Sequence, residues 1–113
     1  MCGRYSLVTN QHILEKRFAF SAKELNLESQ FNVAPTHPVL TVLRNPTGIH
    51  AKIMRWGLIP YWTKDKISAK PLINARTETL IKRPGFKNSF INKRCLILTD
   101  GYYEWTQTPR GKQ

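Results

Sequence analysis

The amino terminus reads Met1-Cys2-Gly3-Arg4-Tyr5, with a cysteine directly behind the initiator methionine. Cysteine is small enough for that methionine to be removed, which leaves Cys2 with a free α-amine and a thiol on adjacent carbons. An α-amine ordinarily titrates near ~7.7 to 8.0 and a thiol near ~8.5, so at neutral pH an appreciable fraction of each is nucleophilic. Both nucleophiles can attack one aldehyde: the amine forms a Schiff base, and the thiol closes onto the same carbon to give a thiazolidine ring. A cysteine inside the chain cannot do this. Position alone leaves a second reading open, in which Cys2 begins a frayed terminus or packs as a small hydrophobe.

Other residues suit chemistry beside such a nucleophile. Ile73-Asn74-Ala75-Arg76 sets an amide and a fixed cation two positions apart, so on an extended backbone both point to one face. Arg76 can hold a phosphate bidentately while Asn74 orients a hydroxyl or carbonyl; the plainer reading is an exposed loop bonded to itself. Glu104 stands among Tyr102, Tyr103 and Trp105, where partial desolvation would suit it to general acid or base work. Its alternative is an ordinary strand carboxylate facing water. Trp62 sits between Tyr61 and a Thr-Lys-Asp-Lys run in a proline-bounded stretch, where its ring has little core to enter and can stack on a base.

The totals narrow the partners. Eighteen Lys and Arg against seven Asp and Glu give a net charge of +11, enough to attract polyanions from a distance. Twelve aromatic rings scattered among these cations match a single-strand binder, in which bases stack on rings and cations track phosphates. The bland counterpart puts Trp56 and Trp105 in a core and leaves the cations as solvated surface. No apolar run reaches the ~20 residues of a spanning helix and no signal-peptide order opens the chain, so a cytoplasmic location and no membrane partner are expected. Cys2 and Cys95 form no CxxC and pair with no histidine at ligand spacing, so neither a metal nor a cofactor is expected.

The elements that must position these residues follow from pattern. Residues 3–9 have strand character, and 10–20 read as a short helix capped by Asn10, with Ile13, Leu14, Arg17 and Phe18 along one edge. Residues 25–35 look like a loop ending in Pro35. Residues 39–57 give two strands joined by Asn45-Pro46-Thr47-Gly48. Residues 58–76, punctuated by proline, form a long surface loop of the kind that carries function. A short helix is expected before Pro84. Residues 94–107 read as one strand, bent at Asp100-Gly101, and the closing Thr-Pro-Arg-Gly-Lys-Gln as a turn with no returning strand. That leaves Cys95 to Leu98 without a neighbour, and the 113 residues are expected to be the N-terminal part of a longer domain.

The stretches MCGRY, FNVAPT, MRWGLIPYW, PLINARTET and CLILTDGYYEW, in this order, resemble the SRAP family, the SOS-response-associated peptidases. The resemblance runs through the whole chain. It implies an α+β domain with a bent, mostly antiparallel sheet like an open barrel, flanked by short helices. It also implies a role in sensing abasic sites in single-stranded DNA: the mature Cys2 crosslinks to the ring-opened aldehyde through a thiazolidine after the protein removes its own Met1. On the matching motifs Cys2 is the nucleophile, Asn74 positions the terminus and the sugar, and Glu104 is the acid or base. Arg4 and Arg76 correspond to phosphate contacts, and Pro35, Tyr61 and Trp62 to wedges that splay the strand, with Tyr61 departing from the tryptophan sometimes found there. Family members continue with further strands and a catalytic histidine in whose motif none of His12, His37 or His50 lies. A noncovalent single-strand binding module and an N-terminal-cysteine peptidase are the rival readings.

Overall fold

A computed structural model describes residues 2–109, 111 and 112. In chain order the elements are β1 (Tyr5–Leu7), α1 (Gln11–Phe18), β2 (Gln30–Val33), β3 (Pro38–Asn45), β4 (Gly48–Arg55), α2 (Pro84–Asn92), β5 (Leu96–Ile97), β6 (Gly101–Tyr102), β7 (Gln107–Thr108) and β8 (Gly111–Lys112). They form two antiparallel three-stranded sheets, ordered β2-β1-β6 and β4-β3-β5, and the two-stranded ribbon β7-β8. The class is α+β and the sheets are open, as the sequence implies.

β3 is the wall between two small cores. Its residues Val39 to Val42 are all buried, and strand alternation deals them to opposite sides. Leu40 and Val42 join Leu14 and Phe18 of α1, together with Phe20, Ala22 and Leu98. Val39 joins Tyr5 and Val33, with Trp56 and Leu7 against them. Thr41, 1% exposed, is satisfied because its hydroxyl donates to the Lys52 carbonyl at 2.9 Å. The radius of gyration, 16.0 Å, exceeds the ~13 Å of a compact domain of about this length, because the sheets do not close on one shared core.

Several expectations hold. Asn10 caps α1, its side chain accepting from the His12 amide at 2.9 Å. The β3–β4 hairpin turns at Pro46-Thr47, with Asn45 Oδ1 accepting from the Thr47 amide at 2.9 Å and from its hydroxyl at 2.7 Å. The expected bend at Asp100-Gly101 separates β5 from β6.

Others are corrected. Residues 30–33, read as loop, form β2 on β1, with an irregular register between Tyr5–Val33 and Leu7–Gln30, so that Val33 is buried while Phe31 is exposed and no regular alternation marks the strand. Pro84 starts α2 instead of stopping a helix; its fixed φ and missing N–H suit the first helical turn, while residues 77–82 are turns. Residues 94–107 are two short strands on different sheets, and the stretch read as lacking a neighbour pairs with β3, Ile97 to Thr41 and Leu96 to Val42. The charged close does return, pairing Gln107 with Lys112 and Thr108 with Gly111.

Candidate active site

Cys2 lies one turn of chain before β1, half-buried, with its thiol donating to the Arg4 carbonyl at 3.6 Å. It faces a cleft of about 310 Å³. Tyr5 from β1 and Trp56 from the end of β4 make one side, with ring centroids 5.4 Å apart at 51°. Ile73 and Asn74 come from the returning limb of the 58–76 loop, and Ile97, Thr99 and Tyr102 from β5 through β6. Two larger hollows, of about 560 and 830 Å³, lie elsewhere and contain neither Cys2 nor Asn74.

Three local devices assemble this cleft. Asp100 accepts from the amides of Val8 and Thr9 and from the Thr9 hydroxyl, locking the end of β1 to the start of β6. Those bonds, led by the Thr9 hydroxyl, hold its carboxyl below the usual range. Gly57 lets the chain leave Trp56 with φ +127°, and a Cβ there would stand 2.5 Å from Pro71 Cβ. The close approach is secured by Leu58 and Leu72, which exchange two backbone bonds of 2.9 Å, and delivers Ile73 and Asn74 to Cys2. Finally, Thr36 holds φ +76°, unusual for a β-branched residue, where its amide bonds the Trp56 carbonyl at 2.8 Å.

The residues singled out from sequence are distributed around these devices. Cys2 and Asn74 meet in the cleft. Arg4 is half-buried, its Nη1 donating to the Gly3 carbonyl at 3.0 Å, and Arg76 is exposed two residues beyond Asn74. Pro35 is half-buried in the turn tied to Trp56. Tyr61 and Trp62 pack edge to face at 5.0 Å, 79% and 51% exposed. Trp62 also rests near the first turn of α2, where a Cβ on Gly85 would lie 3.9 Å from its ring. Neither ring lines the cleft.

Glu104 is exposed, and Tyr102, Tyr103 and Trp105 do not wall it off, being 68%, 46% and 55% exposed. The apolar enclosure expected from their spacing is therefore not formed, because β6 is an edge strand paired only with β1. The same exposure removes Trp105 from the core, while Trp56 packs against it. Tyr5 faces Tyr102 and the Tyr103 amide donates to the Arg4 carbonyl at 2.9 Å, so Glu104 directly follows a residue tied to the segment behind Cys2. The sequence pattern marks Asp100 only as a bend and gives Tyr5 and Thr99 no place at the site. Among the described residues no group of three or more His, Cys, Asp and Glu side chains is arranged for a metal, and no helix is long and apolar enough to cross a membrane.

Comparison with known proteins identifies the family. The chain is 36% identical over 107 residues to the abasic site processing protein YoqW of Bacillus subtilis, covering 93% of this chain and 48% of that one. It is 31% identical over 121 residues to the abasic site processing protein YedK of Escherichia coli, covering 100% and 51%. Over 64 residues it is 41% identical to the abasic site processing protein HMCES of Gallus gallus, covering 53% and 19%. The chain thus spans about half the length of these bacterial relatives. The family model described as SOS response associated peptidase (SRAP) matches residues 1–113, and with Cys2 and Asn74 of its motifs gathered in one cleft, this chain belongs to the SRAP family.

Proposed function

We propose that this chain senses abasic sites in single-stranded DNA and captures them covalently through a mature Cys2, as part of a DNA damage response in the cytoplasm. The observation that carries the reading is the meeting of Cys2 and Asn74 in one small cleft of a SRAP chain. A volume near 310 Å³ lies at the low end for small-molecule sites, ~300 to 1,000 Å³, and suits a sugar that has lost its base. Among the described residues the lining carries no Lys, Arg, Asp or Glu, while Arg4 precedes the lining residue Tyr5 and Arg76 follows Asn74 by two positions in the chain, so phosphates would be held outside the cleft and the reactive carbon admitted to its neutral interior. Removal of Met1, which lies outside the described residues, by the protein itself frees the amine.

The chemistry balances with the loss of one water. The Cys2 amine adds to the aldehyde carbon and gives a carbinolamine. Loss of that hydroxyl as water gives an imine, and the thiolate then adds to the same carbon while the nitrogen takes a proton. Asn74 would orient the sugar, and Glu104 would supply or take the protons. Pro35, Tyr61 and Trp62 would hold neighbouring bases apart at the periphery.

Protein mixed with single-stranded DNA bearing an abasic site should give a heat-stable adduct, absent with an intact strand. Cys2→Ala should abolish it, and Cys2→Ser should leave only a reversible imine. An undiminished stable adduct with Cys2→Ala removes the aminothiol from the reaction. Binding without any adduct returns the chain to a noncovalent module, and methionine release without DNA capture returns it to a peptidase.

A further inference from the structure

Tyr5 carries a buried polar atom with no partner. The residue is 5% exposed, and its hydroxyl is enclosed yet makes no hydrogen bond among the described residues. Leaving such a group unsatisfied is destabilising, while phenylalanine would fill the same space against Val33, Val39 and Trp56 without that cost. Tyr5 and Cys2 line the same cleft, so the residue with the orphan donor is one of the nucleophile's neighbours.

The thiol shows what the donor is for. In its neutral form Cys2 donates to the Arg4 carbonyl at 3.6 Å. A thiolate there would be an acceptor facing a carbonyl oxygen, which repels it, and would need another donor. We propose that the Tyr5 hydroxyl is the hydrogen-bond donor for the Cys2 thiolate, a positioning residue that holds the sulfur ready for ring closure. The inference rests on the reading of Cys2 as the nucleophile and adds the group that prepares it.

The surroundings support this assignment. Burial, with the nearby Cys2 adding to it, pushes the Tyr5 hydroxyl up to about 12, so it keeps its proton and stays a donor. The other titratable or charged groups nearby are Tyr102 on β6, Arg4 with its Nη1 on the Gly3 carbonyl, Arg55 before Trp56, Glu104 after Tyr103, and the amine of a mature Cys2. The segments packed from β2, β3 and residues 71–74 contribute uncharged Val33, Val39, Ile73 and Asn74.

Alkylation of Cys2 by iodoacetamide, read by mass spectrometry on the Cys2 peptide across roughly pH 6 to 10, tests the inference. Tyr5→Phe should slow the reaction about tenfold near neutral pH, the scale of one hydrogen bond to a charged group. The two profiles should converge in alkali, where the thiol is ionised in either protein. The variant should melt at the same temperature or higher, because it loses only an unpartnered oxygen. Superimposed profiles, a constant offset at every pH, or a lower melting temperature would each overturn the assignment. No DNA enters the measurement, so this inference can fail while adduct formation stands, and the loss of adduct formation would leave the alkylation result intact.

Discussion

Replacing Gly57 by alanine tests how the fold delivers Asn74 to Cys2. At φ +127° an L side chain is strained, and the new Cβ would stand 2.5 Å from Pro71 Cβ and 3.8 Å from Ile73 Cγ2. The backbone strain alone costs about 1 to 3 kcal/mol. Relieving the contact needs about 1 Å of separation to reach ordinary van der Waals distance. The part free to move is the 71–74 limb, joined to the preceding limb by the Leu58–Leu72 bridge, and Asn74 travels with it. A 1 Å misplacement of a positioning group costs on the order of 100-fold in rate, so adduct formation should slow by about that factor, while affinity for an intact strand changes little. Gly48→Ala supplies the control. It has the same backbone demand, φ +129°, with nothing within 4 Å of the added carbon, and it lies in the β3–β4 hairpin away from the cleft. Both variants should melt at least several degrees lower, and only Gly57→Ala should lose capture rate beyond its loss of folded protein. Equal adduct rates for the two folded variants would refute the claim that the Gly57–Pro71 approach sets the position of Asn74.

Two further predictions concern the DNA contacts and the clamp. Affinity for single-stranded DNA should fall with salt at a log–log slope of about −0.7 per phosphate contacted; Arg76→Ala should flatten that slope, whereas Trp62→Ala should cost roughly 1 to 3 kcal/mol with little change in slope, and equal slope changes from both would merge the assigned roles. Asp100 is held below the ordinary carboxylate range, so its contribution is fully present above that range, ~3.9, and is lost as pH falls toward the lower folded value; Asp100→Asn should destabilise the protein by roughly 1 kcal/mol, the scale of losing a side-chain cap on backbone amides, and should flatten the acid limb of a melting-temperature profile.

The fold was legible where a local rule had no competitor. Asn10 before an apolar edge gives α1, and a two-residue turn between alternating runs gives the β3–β4 hairpin. It was not legible where pairing decided the outcome. Phe31 and Val33, one exposed and one buried, give no regular alternation to announce β2, which exists because β1 offers it an edge. The run from Cys95 to Trp105 has strand character throughout, yet Asp100 fastens to Val8 and Thr9 and breaks it between two sheets. Pro84 was ambiguous for a different reason, since the same ring that ends one helix suits the start of the next.

The site divides along the same line. Cys2 declares itself by position, because only a residue behind the initiator methionine can expose an amine and a thiol together, and Asn74 and Arg76 by their spacing. Their meeting does not follow from spacing, since it depends on Gly57 folding the 58–76 loop back onto itself. Glu104 shows the opposite failure: three aromatic neighbours in sequence suggest enclosure, but an edge strand leaves those rings exposed to solvent. Tyr5 was read only as strand material, and as a ring it is that, packed on Trp56. Its oxygen becomes informative only in three dimensions, because the want of a hydrogen-bond partner is a property of the surroundings. A hydroxyl that stability would discard, carried by a residue that shares a cleft with Cys2, is better explained by a sulfur's need for a donor than by the core's need for a ring.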